Sequence, residues 1–240
     1  MVVPAYNEQG RIEASLQRIV DYMQGAGFTF EVIVVDDGSS DGTAEVVASL
    51  ARSDARLKLV QNRKNLGKGG AVRNGVRSSG GSVVLFSDAD LSTPIEEFEK
   101  LLPWLETHDL VIASRSLPDS AVLVHQPFYR EFMGRIYNLL VRALVTRGLI
   151  DTQCGFKLMS RRAADGISRL QRINSFSFDV EMILIARRLG YAVKEVPVRW
   201  INSRASKVHP ILDSAQMLLD LFRIKFYDIF GLYGEAIERE

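Results

Sequence analysis

The stretch Ser87-Asp88-Ala89-Asp90-Leu91-Ser92 places two carboxylates two residues apart, directly after the apolar, β-branched run Ser82-Val83-Val84-Leu85-Phe86. That run reads as a buried strand, so the acids stand where the strand ends. Ligands of open α/β sheets bind outside the carboxyl ends of the strands. Two carboxylates this close oppose each other's ionisation unless a cation joins them. A hard divalent cation that also takes phosphate oxygens would resolve the conflict. The plainer alternative is a turn capped by Asp88, with Asp90 solvated. Two further strand ends carry polar sets. Val2-Val3 runs into Pro4-Ala5-Tyr6-Asn7-Glu8. There Pro4 fixes the chain direction, Tyr6 can stack on a planar base, and Glu8 can accept from ribose or base. Glu31-Val32-Ile33-Val34-Val35 runs into Asp36-Asp37-Gly38-Ser39, which offers an acid to a nucleobase N–H. Each set alone reads as an ordinary capped turn. Together they would line one edge with base, ribose and diphosphate–metal subsites.

The elements that must hold these residues alternate. Ile12, Leu16, Ile19, Val20 and Met23 fall at helical spacing, so 11–24 reads as an amphipathic helix. Turn chemistry at 39–43 leads to a helix through Val46, Val47 and Leu50, then to a short strand Leu57–Val60. A Gly-interrupted helix over 68–78 precedes the acid-bearing strand. A helix opened by Pro94 follows it, and 109–114 is the next strand. This rhythm predicts a largely parallel sheet with helices on both faces. The second half predicts a long helix over 127–147, strands at 155–159 and 192–200, and a helix at 179–189. A polar loop over 202–207 comes next, then a helical tail. The expected division is a catalytic domain over 1–208 and a tail over 209–240.

Composition narrows the classes. The 240 residues are 47% hydrophobic and 25% charged, which suits one globular domain with an appendage. A net charge of +1 gives no global field for nucleic acid. The single Cys154 excludes an internal disulfide and a Cys-based zinc site, and His108, His125 and His209 show no ligand spacing. No targeting signal or run of about 18 apolar residues is visible. Val2-Val3 reads as the end of a strand. Either that strand is very short or the sequence is trimmed, and an upstream anchor would have been lost with the trimmed part.

Four stretches in order resemble the family 2 glycosyltransferases of the GT-A fold. They are residues 2–8, 34–43 (Val-Val-Asp-Asp-Gly-Ser-Ser-Asp-Gly-Thr), 65–71 (Asn-Leu-Gly-Lys-Gly-Gly-Ala) and Asp88-Ala89-Asp90. Within that family, 151–157 (Asp-Thr-Gln-Cys-Gly-Phe-Lys) and 203–208 (Ser-Arg-Ala-Ser-Lys-Val) are most similar to the polyprenyl- and dolichyl-phosphate hexosyltransferases. The resemblance implies a Rossmann-like, mostly parallel sheet and an inverting, metal-dependent hexose transfer from a nucleotide sugar to a polyprenyl phosphate. It implies that Pro4, Tyr6, Glu8, Val35 and Asp37 hold the nucleoside. It implies further that Asp88, next to Ala89, touches ribose or sugar and that Asp90 ligates Mg²⁺ or Mn²⁺. Ser92 lies near that metal where mannosyl-transferring relatives carry glutamine, which favours UDP-glucose over GDP-mannose. A soluble or glycan acceptor, and a nucleotide-sugar-binding protein without turnover, remain the other readings.

Cations complete the site. Arg115, at the end of its strand, is the natural partner for phosphate or a sugar hydroxyl. Arg130 and Arg135 are candidates for the acceptor phosphate, because arginine meets phosphate through a planar fork. Arg204 and Lys207 stand in a loop able to close over the diphosphate and exclude water. Gly67-Lys68-Gly69-Gly70 lacks P-loop spacing. Its glycines imply close packing beside the nucleotide, and Lys68, kept among the donor-binding candidates, reads by spacing alone as solvated. Asp151 is either a base or a positioning group, and at most one of Asp179 and Glu181 is catalytic. A phosphate monoester with a second pKa of about 6 needs little help from a base. Phe222, Phe226, Phe230 and Tyr233 recur about every fourth residue beside Arg223 and Lys225. That stripe fits a membrane-surface helix, and equally one packed on the domain or in a homodimer. The expected location is cytoplasmic, peripheral to the cytoplasmic face of a membrane.

Overall fold

The computed structural model describes residues 1–124, 134, 137–142, 145, 148–202 and 212–234. Nine strands are present among them: β1 Val2–Ala5, β2 Val32–Asp36, β3 Leu57–Gln61, β4 Val83–Ser87, β5 Leu110–Ser114, β6 Ala121–Val124, β7 Phe156–Ser160, β8 Val193–Pro197 and β9 Arg199–Ile201. The α-helices are α1 Ile12–Gly25, α2 Thr43–Ser53, α3 Lys68–Ser78, α4 Phe98–Leu101, α5 Arg161–Leu170, α6 Phe178–Arg188 and α7 Leu212–Ile229. Residues 137–142 are also helical, and the rest of the long helix expected over 127–147 lies largely outside the described residues.

Seven strands form one sheet in the order β3-β2-β1-β4-β7-β5-β8, and β6 pairs with β9 in a small second sheet. The strands of the main sheet are parallel except β7, which runs antiparallel to both β4 and β5. β7 pairs antiparallel with β4 from Ser87↔Phe156 and with β5 from Ile112↔Lys157, so it runs back between them. Its first residues therefore lie at the same edge as the ends of β4 and β5. Strand alternation sends Val2, Ile33, Val35, Val84, Phe86, Leu110 and Ile112 to one face, against α3, α5 and α6. It sends Val3, Val32, Val34, Leu85, Val111 and Ala113 to the other, against α1. All five residues of β2 are buried, as a strand covered on both faces requires.

Three expectations change. The helix after Pro94 is a 3₁₀ turn Ile95–Glu97, then α4, then a second 3₁₀ turn Leu102–Glu106, because Pro103 removes an N–H that a continuous helix needs. The single strand expected over 192–200 is two strands. Pro197 ends β8 beside Ser114, and the chain crosses to the small sheet as β9. Helix α5 was not foreseen. Its apolar positions are few, and it is opened by Ser160, whose hydroxyl accepts from the Ala163 N–H at 3.2 Å.

Candidate active site

Order β3-β2-β1-β4 reverses direction at β1, so the crevice between the ends of β1 and β4 is the topological switch point. The Tyr6–Glu8 and Asp88–Asp90 turns open there. Tyr6 is 40% exposed, while Pro4 is half-buried in register with the buried Val35. Asn7 adopts φ 54°, and its side chain accepts from the Ser40 N–H at 2.8 Å, which ties the β1 turn to the β2 turn. Glu8 is gripped by Arg11 through both Nε and Nη2, the latter at 2.8 Å. Arg11 Nη1 also reaches to 4.0 Å from Asp90 Oδ2. Sequence reasoning passed over Arg11. Its position three residues after Glu8, at the start of α1, was the available signal.

Asp37 turns toward its own scaffold. Its carboxylate accepts from Asn62 Nδ2 at 2.7 Å, the Leu66 N–H at 3.0 Å and the Gly67 N–H at 2.8 Å. Those bonds fasten the entry to α3. Lys68, the first residue of α3, is not a solvated charge: its Nζ stands 2.6 Å from Asp88 Oδ1, with the side chain 22% exposed. The glycines around it make room for protein. A Cβ on Gly67 would lie 2.5 Å from the Asn174 carbonyl, and one on Gly69 would lie 2.5 Å from Phe178 Cβ.

Asp88 itself leans on the start of β7. Its N–H donates to the Gly155 carbonyl at 3.0 Å, and a Cβ on Gly155 would fall 2.0 Å from Asp88 Oδ2. Burial pushes the Asp88 carboxyl above its ordinary range, against the pull of Lys68, and the neighbouring Asp90 adds to the rise. Burial opposes the charge on Lys68, but Asp88 and Asp179 together raise its ammonium above the usual value. Asp90 follows the buried Ala89, and its Oδ1 accepts the Ser92 N–H at 2.9 Å. Ser92 is buried, and its carbonyl accepts from the Ile201 N–H at 2.8 Å, so it links the acidic turn to β9.

A second ion pair stands across β7. Arg115 meets Asp151 through Nε at 2.7 Å and Nη2 at 2.9 Å, and its backbone N–H adds a third bond at 2.9 Å. The Gln153 N–H donates to Asp151 Oδ1 at 3.1 Å. Asp151 is wholly buried. Burial alone would raise its carboxyl, but Arg115 outweighs it and holds the group below the usual range. The guanidinium also lies 5.4 Å from the Trp200 ring centroid. Beneath the site, fully buried Lys157 binds Asp179 and donates to the Cys154 carbonyl at 2.7 Å. Glu181 is buried as well, so neither acid of 179–181 faces solvent. Burial pushes the Cys154 thiol up to about 11, which suits an inert core residue. Arg130, Arg135, Arg204 and Lys207 lie outside the described residues, as do His125 and His209.

Among the described residues no group of three or more His, Cys, Asp or Glu converges as a metal cage. The oxygens that Asp88 and Asp90 present are hard donors of the kind Mg²⁺ and Mn²⁺ take alongside phosphate and water, so the turn fits a metal shared with a diphosphate.

Residues 1–167 match the family model "Glycosyl transferase family 2". The chain belongs to this family. It is 35% identical to a dolichyl-phosphate beta-glucosyltransferase of Dictyostelium discoideum, over 97% of this chain and 75% of the relative. The counterpart from Mus musculus is also 35% identical, over 97% and 76%. Among solved structures, glucosyl-3-phosphoglycerate synthase from Mycobacterium tuberculosis, in complex with Mn²⁺, UDP-glucose and phosphoglyceric acid, superposes with a TM-score of 0.69 at 22% identity. That match covers 94% of this chain and 78% of the other. Mannosyl-3-phosphoglycerate synthase from Rubrobacter xylanophilus superposes at 0.70 with 18% identity, covering 100% and 76%. The GT-A fold expected from the sequence is the fold observed, and the protein is a glycosyltransferase.

Proposed function

We propose that this glycosyltransferase moves a hexose, with glucose favoured, from a nucleotide sugar to a dolichyl or polyprenyl phosphate with inversion at the anomeric carbon. The observation that carries this reading is the pair of relatives named above, aligned over nearly the whole chain, read together with the Asp88–Asp90 turn at the switch point. UDP-glucose is the favoured donor, because the relatives named above are glucosyltransferases and the sequence resemblance sets Ser92 against a glutamine of mannosyl-transferring relatives.

In this reading Tyr6 stacks on the base, and Pro4, Val35 and Asp37 shape the nucleoside subsite, Asp37 by fixing its wall. Glu8, oriented by Arg11, accepts from the nucleoside. Asp88 holds ribose or sugar. Asp90 holds Mg²⁺ or Mn²⁺, which, when bound, neutralises charge that develops on the departing diphosphate. Lys68 and Arg115 supply fixed positive charge at the same edge. Arg130, Arg135, Arg204 and Lys207 are proposed for the acceptor and leaving phosphates. The acceptor phosphate is already anionic at neutral pH, with a second pKa of about 6, so attack needs no strong base. Asp151, with its oxygens committed to Arg115 and Gln153, acts as a positioning group.

Contact with a membrane surface fits α7. Leu219, Phe222, Phe226 and Ile229 along it, and Phe230 just beyond its end, are 52–69% exposed, beside the cations Arg223 and Lys225. Tyr233, expected on that stripe, is instead 1% exposed and packs inward. Among the described residues no helix is long and apolar enough to cross a membrane. The proposed location is the cytoplasmic face, peripheral to the bilayer.

The test is label transfer from UDP-glucose or GDP-mannose into organic-extractable polyprenyl phosphate, with and without divalent metal. Metal-dependent lipid label from UDP-glucose is expected. Lipid label from GDP-mannose alone would overturn the donor, and label only in a water-soluble acceptor would overturn the lipid.

A further inference from the structure

Two buried carboxylates, Glu181 and Asp220, take no part in the chemistry above, yet both hold the same stretch of chain, Glu181 by its backbone and Asp220 by the Ser175 side chain. They are 0% and 1% exposed. Glu181, on α6, accepts the Arg172 N–H at 2.9 Å and the Tyr233 hydroxyl at 2.7 Å on Oε1, and the Ile173 N–H at 2.8 Å on Oε2. Asp220, on α7, accepts the Ser175 hydroxyl and Gln216 Nε2. The stretch they hold then grips α3. The Asn174 carbonyl accepts the Gly69 N–H at 2.7 Å and the Gly70 N–H at 3.3 Å, and Gln171 Nε2 donates to the Gly69 carbonyl at 2.8 Å. On the other side Asp37 takes the Leu66 and Gly67 N–H groups. Lys68 sits between these anchors with its backbone fastened from both sides.

We propose that Glu181 is a positioning residue for the donor site: it sets the 172–174 backbone, which sets the first turn of α3 and so places Lys68 against Asp88, with Tyr233 as its link to the tail. The consequence for donor binding rests on the reading under Proposed function. The chemistry requires a carboxylate. Three donors converge on two oxygens, and an amide would turn an NH₂ toward one of them and leave it unsatisfied.

The 240-residue chain carries the test in two readouts: hydrogen exchange of the amides at 66–71, and affinity for UDP with Mn²⁺ by calorimetry. Glu181→Gln preserves size and burial. It is expected to speed exchange at 66–71 and weaken UDP each by about tenfold, and Tyr233→Phe by about threefold. Asp228→Asn serves as the control. Asp228 ties the same tail to α6 through Arg188 Nε at 2.5 Å, away from 171–177. That variant is expected to lower the melting temperature and leave both readouts at the wild-type level. Unchanged exchange at 66–71 in Glu181→Gln, or an equal rise in Asp228→Asn, overturns the proposal. Faster exchange with unaltered UDP affinity overturns its donor-site half. A wild-type chain that binds no UDP defeats the donor reading instead, while the exchange comparison still decides the strut. Should Glu181→Gln fail to fold, Tyr233→Phe decides both readouts.

Discussion

Two ion pairs stand at one sheet edge on either side of the start of β7, and they are built differently. Lys68 and Asp88 meet through a single 2.6 Å contact, with side chains 22% and 32% exposed. Arg115 and Asp151 meet through two guanidinium N–H groups and a backbone N–H, around a carboxylate with no exposure at all. Burial pushes the first carboxyl up, and the arginine holds the second down. The first pair has the looseness a ligand could exploit: in the proposed function a diphosphate takes the lysine while a sugar or ribose takes the acid. The second is a mount, whose acid aims a cation and has no lone pair to spare for proton transfer.

The sharpest way to break this contrast is Asp90→Ala, next to the loose pair. Loss of the proposed metal contact is expected to cost about 1,000-fold in kcat/KM, read by label transfer at saturating metal. A fall of only a few-fold would remove Asp90 from the chemistry. Asp151→Asn attacks the mount. Breaking a buried pair of this kind is expected to cost about 3 kcal/mol of stability, read by urea denaturation. A variant of normal stability whose pH–rate profile has lost its acid limb would make Asp151 the base and dissolve the distinction. Gly155→Ala addresses the loose pair without changing any charge. A methyl 2.0 Å from Asp88 Oδ2 must displace that carboxylate. A displacement near 1 Å is expected to raise the donor KM by up to about 100-fold while the Arg115–Asp151 bonds persist.

The same contrast marks what the sequence made legible. The three polar sets were readable because each follows an apolar run at a strand end, and α3 was readable over 68–78 because its apolar residues recur at helical spacing. The partners within the site were not. Lys68 finds Asp88, and Arg115 finds Asp151, across 20 and 36 residues of chain, and only the reversed strand β7 brings 151–155 to that edge. Nothing local in Phe156–Ser160 states its direction. The glycines of 67–70 signalled close packing, and the protein segment they meet is 173–178, more than 100 residues later. Asp151 had two readings because a base and a positioning group share one residue type, and its bonds to Arg115 and Gln153, which favour the second, come from residues the sequence does not link to it.

The smallest effect separates the pairs by the sign of their pH dependence. Asp151 is depressed in the folded state, so it contributes stability above the unfolded carboxyl pKa of about 3.9, and that contribution is lost as pH falls through the folded value. Asp88 is raised, so the native state keeps a proton that the unfolded chain has released. Its contribution is greatest at low pH and drains away as pH climbs from about 3.9 through the folded value. Urea midpoints followed from about pH 3 to about pH 7 should therefore diverge in opposite directions for two isosteric variants. Relative to wild type, Asp151→Asn falls behind as pH rises, because only the wild type gains the buried pair. Asp88→Asn gains on wild type over the same range, because it no longer forces a carboxylate to ionise beside Asp90 in a partly closed turn. If both differences moved the same way, the two pairs would be one electrostatic unit, and the division between a yielding pair and a fixed mount would fail.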